Sequence, residues 1–214
     1  MGQNLNNLTT GNIIRQMAHN KALLYWQINS KDEPGGVALV GDSLVEYFPI
    51  HELYEGSLRV YNRGVAGNTT HDILGRLDDT VVSLQPKTVI LLAGINDFMP
   101  FVPHHTTEEI VSRLMQIGKH MKTALPKVKI CVQSLYPVNE QFDRGFLNVV
   151  NNEAIQTLNQ LLQSQCTNSG YVFIDVYPHL LDQSGQLDAH LTLDGIHVNV
   201  SAYEVILDLL RPYF

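Results

Sequence analysis

Positive charge is in short supply in this chain. Its 214 residues carry 14 Lys and Arg against 21 Asp and Glu, for a formal net charge of -7. Binding a phosphate backbone calls for a concentrated cationic face, so nucleic acid is not an expected partner. Cysteine is also scarce. The two present, Cys131 and Cys166, lie far apart in sequence and read as free thiols rather than a disulfide framework. No apolar stretch approaches the ~18 residues of a membrane span, so no integral membrane segment is expected. The opening Met1-Gly2-Gln3-Asn4-Leu5-Asn6 lacks the cationic start and apolar core of a secretory signal. Asn6 also stands where a myristoylation motif would carry Ser or Thr. Together these absences lead us to expect a cytoplasmic location. Metal-ligand spacing is missing too: His104-His105, His179 and His190 form no His-X-X-X-His or cysteine-paired pattern, so no metal is expected.

What the chain does have is an ordinary 44% hydrophobic content and a length suited to one domain. We expect a single domain over 1–214, with 1–34 as an N-terminal helical extension. Within that extension Ile13, Ile14, Met17, Leu24 and Ile28 are spaced as in an amphipathic helix from about Asn12 to Asn29. Tyr25, Trp26 and Ile28 exceed what an exposed helix needs. That surplus suggests core packing or a subunit contact, and makes a homodimer an open expectation.

After Pro34-Gly35-Gly36, β-rich runs recur at Val37–Val40, Leu58–Tyr61, Thr88–Leu92, Val128–Val132 and Tyr171–Ile174. Helical patterns occupy Ser43–Phe48, Thr70–Leu84, Thr107–Ala124, Asn148–Cys166 and Ser201–Leu210. Apolar strands alternating with helices imply a five-stranded parallel sheet covered on both faces, a flavodoxin-like three-layer α/β/α sandwich. Phe98–Thr107 and Val138–Asn148 read as long loops that could border a cleft.

In such a sheet, ligands bind beyond the carboxyl ends of the strands. Ser43 follows the first strand in Gly41-Asp42-Ser43-Leu44, and the start of a helix there favours developing negative charge. A serine hydroxyl is a weak nucleophile unless an oriented base takes its proton. His197 suits the base and Asp194 the group that orients it, three residues apart in Asp194-Gly195-Ile196-His197. An oxyanion formed on Ser43 would need neutral donors, for which the Ser43 N–H, the Gly67 N–H and the Asn96 amide are candidates. Asp42, Asn68, Gly94 and Asp97 are expected to support these turns, Asn68 and Asp97 through side-chain to backbone hydrogen bonds. Each block alone has a blander reading: Gly-Asp-Ser-Leu as an ordinary strand-to-helix turn, Asp194 as the cap of the last helix, and His197 as a satisfied, partly buried side chain.

Taken in order, Gly41-Asp42-Ser43-Leu44, Asn62-Arg63-Gly64-Val65-Ala66-Gly67, Gly94-Ile95-Asn96-Asp97 and Asp194-Gly195-Ile196-His197 resemble the four blocks of the SGNH hydrolases, the GDSL esterase/lipase family. Gly41 to Val45 and Leu193 to His197 look most like the branch of intracellular platelet-activating-factor acetylhydrolase catalytic subunits. The resemblance implies Ser43 as nucleophile, His197 as base, Asp194 as orienting acid, and Gly67 with Asn96 as oxyanion donors. It further implies a small acyl ester as substrate and no cofactor. A carbohydrate O-acetylesterase, a thioesterase or a lysophospholipase would use the same residues, and a flavodoxin-like module that only binds a small molecule is the non-enzymatic alternative. The absence of Gly-X-Ser-X-Gly around Ser43 sets the chain apart from the α/β-hydrolase elbow.

Overall fold

The computed structural model describes residues 2–214, leaving aside the side chains of 2–10, 146 and 147. Five parallel strands form its centre: β1 (Val37–Gly41), β2 (Val60–Gly64), β3 (Thr88–Leu92), β4 (Lys129–Gln133) and β5 (Val172–Ile174), in the order β2-β1-β3-β4-β5. Every residue of β1 and β3 is buried, as continuous apolar strands in the middle of a covered parallel sheet should be. The helices are α1 (Gly2–Asn29), α2 (Ser43–Glu46), α3 (Ile50–Leu53), α4 (Thr70–Thr80), α5 (Thr107–Ala124), α6 (Asn152–Ser169) and α7 (Val200–Leu210). Along one layer α1 packs on α4, α4 on α5 and α5 on α6. In the opposite layer Tyr203 of α7 stacks on Phe48, just beyond α2, with ring centroids 4.7 Å apart, and its hydroxyl donates to the Leu44 carbonyl. The three-layer α/β/α sandwich expected from the alternating pattern is the fold. Among the described residues no helix is long and apolar enough to cross a membrane.

Local chemistry accounts for the boundaries, including those that moved. Helix α5 spans the expected Thr107–Ala124, and its start is fixed by the reciprocal capping box of Thr106 and Glu109. The helix expected over Thr70–Leu84 stops at Thr80. The β-branched run Thr80-Val81-Val82 disfavours further helix, and the chain tightens into a 3₁₀ turn at Val82–Leu84. Helix α6 starts later than expected, at Asn152, where the Asn151 side chain caps it, and runs on to a left-handed Gly170. The second strand lies further along the chain than expected. Leu58 is exposed, and the ladder pairs Val37 with Val60 through to Gly41 with Gly64, so polar Asn62 and Arg63 belong to β2.

Helix α1 forms, but not with the expected face inward. Ile13, Met17, Leu24, Trp26 and Ile28 are exposed, whereas Tyr25 and Asn29 are buried. Polar contacts dock the helix. The Tyr25 hydroxyl donates to the Gly64 carbonyl at 2.8 Å, Arg63 donates twice to Asn29 Oδ1, and the Asn29 amide reaches the Asp79 carbonyl. Apolar periodicity misidentified the inward face because much of what holds this helix is polar: Arg63, Glu46, the Ser83 hydroxyl and the carbonyls of Gly64 and Asp79.

Candidate active site

The sheet register places the site. Gly41 pairs with Gly64 on one side and with Leu92 on the other, so three loops leave the carboxyl edge at one level. These loops carry Ser43, Gly67 and Asn96. Close approach dictates the glycine at 41: a Cβ there would stand 2.1 Å from the Leu92 carbonyl oxygen. Asp42 then caps α2, its Oδ1 accepting from the Leu44 N–H at 3.0 Å, and Ser43 opens the helix.

From the far end of the chain, Asp194 and His197 meet Ser43. Ser43 Oγ lies 3.0 Å from His197 Nε2, and His197 Nδ1 lies 2.7 Å from Asp194 Oδ2. The other carboxylate oxygen, Oδ1, accepts the N–H groups of Ile196 and His197 at 3.0 and 2.7 Å. Burial alone would raise the Asp194 carboxyl, but the hydrogen bonds from His197 and Ile196 outweigh it and hold the group below the ordinary aspartate value. An ionised Oδ2 can only accept, so Nδ1 carries the ring proton and Nε2 turns a lone pair toward the serine. The turn itself is closed by a bridge between Thr192 and Val198 and by the Thr192 hydroxyl, which donates to the His197 carbonyl. Asp194 does not cap the last helix, a task performed by Asn199 through the Ala202 N–H.

The remaining blocks converge on the same cavity. A pocket of about 230 Å³ is lined by Ser43, Gly67, Asn96 and His197 together with apolar side chains, among them Ile95, Met99 and Ile196. One amide proton of Asn96 is given to the Asn68 carbonyl at 3.0 Å, which fixes the side-chain plane. Gly67 has φ +78°, a conformation that glycine adopts without strain. Neither the Gly67 nor the Ser43 N–H has a protein partner among the described residues.

Beneath these groups lies a buried polar frame. Asp97 accepts from the Thr70 N–H and hydroxyl and pairs with Arg113, tying the Gly94–Asp97 turn to α4 and α5. Asn68 is held by a different kind of contact from the one its type suggested: its Oδ1 takes the Arg76 Nε–H at 2.6 Å. Arg76, on α4, also donates to the carbonyls of Gly41 and Arg63, joining the ends of β1 and β2. Burial lowers its guanidinium to about 10, so it remains charged at neutral pH. Nothing in the sequence marks this arginine, since a lone cation in a helical pattern reads as an exposed residue. Tyr47 was likewise missed. It sits one helical turn after Ser43, with its ring centroid 5.5 Å from that of His197, and the Ser43 to Tyr47 spacing is the signal that was available.

Of the two loops expected to border a cleft, Phe98–Thr107 contributes Met99 and Phe101 to the pocket. Val138–Asn148 instead backs the Asp194 turn, with the Asn139 N–H donating to the Gly195 carbonyl. Among the described residues no group of three or more His, Cys, Asp or Glu could hold a metal ion, and both cysteines are buried and unbridged.

Residues 31–205 match the GDSL-like lipase/acylhydrolase family model. The chain belongs to this family. It is therefore an enzyme of the esterase and acylhydrolase type. A solved structure from Streptococcus pneumonia, provisionally described as a platelet activating factor, is 31% identical, with 94% of each chain covered and a TM-score of 0.86. A GDSL-like lipase from Bacteroides thetaiotaomicron, 19% identical over 90% of this chain and 96% of its own, shares the fold at a TM-score of 0.79. Among curated proteins, an N-acylneuraminate cytidylyltransferase of Escherichia coli is 25% identical over 83% of this chain, which spans 40% of that protein's length. An acetylxylan esterase of Geobacillus stearothermophilus is 36% identical over 63 residues, covering 29% of this chain and 26% of its own length.

Proposed function

We propose that this enzyme cleaves small acyl esters, acetyl or short-chain, through an acyl-enzyme on Ser43. The observation that carries the reading is the continuous hydrogen-bonded chain from Ser43 through His197 to Asp194 at the wall of a small, mostly apolar pocket. In the first half-reaction Ser43 Oγ attacks the ester carbonyl carbon and its proton passes to His197 Nε2. Charge gathers on the former carbonyl oxygen, where the N–H groups of Ser43 and Gly67 and the second amide proton of Asn96 act as donors. The tetrahedral species collapses, the C–O bond to the alcohol breaks, and the leaving oxygen takes the proton from Nε2. Water then repeats the sequence on the acyl-enzyme, with His197 again as base, and releases the carboxylic acid and free Ser43.

The test is covalent. A fluorophosphonate should label wild-type Ser43 stoichiometrically, and Ser43→Ala should abolish both the label and p-nitrophenyl acetate hydrolysis. Equal hydrolysis by the variant would refute covalent catalysis by Ser43, and an unlabelled, inactive wild type would return the chain to the small-molecule binding reading. The likeness to an acetylxylan esterase supports a second substrate class, an O-acetylated sugar, handled by the same residues. Acetate release from acetylated xylan oligosaccharides, compared with that from simple acetyl esters, separates the two.

A further inference from the structure

Helix α1 lies wholly outside the stretch matched by the family model, yet it supplies part of the pocket wall. Its second half is anchored by Tyr25 and Asn29, and by Lys21, whose ammonium lies 3.0 Å from Glu46. Glu46 in turn accepts the Ala66 N–H at 2.6 Å, so the anchor is continuous with the Gly67 turn. The middle of the helix passes over the site. Ile14 and Met17 line the catalytic cavity, and Ile14 fits so closely over Gly67 that a Cβ added there would stand 2.2 Å from Ile14 Cγ2. Ile14 also borders a second cavity of about 310 Å³, whose lining includes Gly11, Val102 and Pro103. Ile14, Gly67 and Phe101 border both spaces, and Gly11 packs against the Phe101 ring. The partition between the two cavities therefore includes one branched aliphatic side chain from outside the catalytic blocks.

We propose that Ile14 determines acyl-chain specificity, closing the catalytic pocket at the boundary with the second cavity so that short acyl groups fit and longer ones are stopped. The inference rests on the acyl-enzyme reading above. The exposed surface of both spaces is mainly apolar, with Arg15, His71, Asp72, His105 and Arg113 also bordering the second, so an acyl chain that passed the boundary would meet further apolar surface at Ile14, Phe101, Val102 and Pro103. Truncating Ile14 to alanine removes three carbons from the partition, room for about two or three methylenes. Each newly buried methylene favours the longer ester by roughly fourfold.

The experiment profiles p-nitrophenyl esters from acetate to dodecanoate with wild type, Ile14→Ala and Ile14→Phe, each also titrated with a fluorophosphonate. Ile14→Ala should raise the octanoate-to-butyrate ratio of kcat/KM by at least tenfold, and Ile14→Phe should lower it. If α1 only needed Ile14 for docking, both variants would loosen the wall and shift the ratio the same way, and the proposal would fail. It would also fail if the ratio stayed unchanged in enzymes that label normally. Absence of a label on the wild type would instead overturn the acyl-enzyme reading, and this inference with it.

Discussion

Replacing Asp194 by asparagine tests the direction in which the catalytic proton must travel. The two carboxylate oxygens are not equivalent: Oδ1 holds the Ile196 and His197 N–H groups at 3.0 and 2.7 Å, and Oδ2 holds the imidazole Nδ1–H. An asparagine has one acceptor oxygen to give. Placing its NH2 at the Oδ1 position would set it against two backbone donors, losing two hydrogen bonds at ~1–3 kcal/mol each. The oxygen therefore stays with the backbone, and the NH2 group faces Nδ1. Nδ1 must then accept, which moves the ring proton to Nε2, 3.0 Å from Ser43 Oγ. With its lone pair on the wrong nitrogen, His197 cannot take the serine proton.

Asp194 is half exposed, so the purely electrostatic part of its contribution is screened by water. Tautomer inversion is a local effect and is not screened. In the serine-protease triad the same exchange costs ~10⁴ in kcat, and we expect a loss of about 10³–10⁴ here, with KM little changed. The assay is steady-state hydrolysis of p-nitrophenyl acetate, alongside a circular dichroism check that the fold is intact. A loss smaller than about tenfold in a folded variant would show that Asp194 does not set the tautomer of His197.

Two further outcomes follow from neighbouring residues. Asn96→Ala should lower kcat by ~10²–10³ with a smaller change in KM, because a donor aimed at the oxyanion acts in the transition state; a change confined to KM in steady-state kinetics would assign Asn96 to substrate binding instead. Asp42→Asn concerns stability: burial pushes the Asp42 carboxyl up from 3.8 to about 7, so the folded state binds the proton more tightly than the unfolded chain and stability falls as pH rises between those values. Its Oδ2 has no hydrogen-bond partner among the described residues, whereas Oδ1, which caps Leu44, is preserved in asparagine. From pH 5 to pH 8 the wild type should lose on the order of 2–3 kcal/mol more than Asp42→Asn in urea unfolding, and parallel losses would refute the assignment.

The legible parts of the chain were those in which one residue type has one use. Val37–Val40 and Thr88–Leu92 read as strands because short, largely apolar runs between turn residues suit a covered sheet, and they prove to be its buried central strands. Ser43, Asp194 and His197 were legible as a chemical set, and the structure brings them into hydrogen-bond contact across 154 positions of sequence. Asn62 and Arg63 misled because each satisfies partners beyond the strand. The Asn62 amide holds the Val45 and Phe48 carbonyls behind α2, and Arg63 reaches Asn29 and Asp32. A polar pair at a sheet edge resembles a loop until those partners are known.

Gly67 shows why the pocket itself could not be read from the motif. Its block identifies it as a candidate donor, and for that purpose the absence of a side chain only lets a substrate come close. In the fold the same absence admits Ile14, a contact with no sequence signature because it joins residues 53 positions apart through a helix that docks by hydrogen bonds. The two demands reinforce each other. A side chain at 67 would be strained at φ +78° and would also displace the helix that closes the cavity, so the position is constrained twice over. On the proposed reading, the four blocks would supply the reacting atoms while Ile14, a residue outside them, would limit the size of the acyl group. Chemistry and specificity would then come from separate parts of this chain that meet at Gly67.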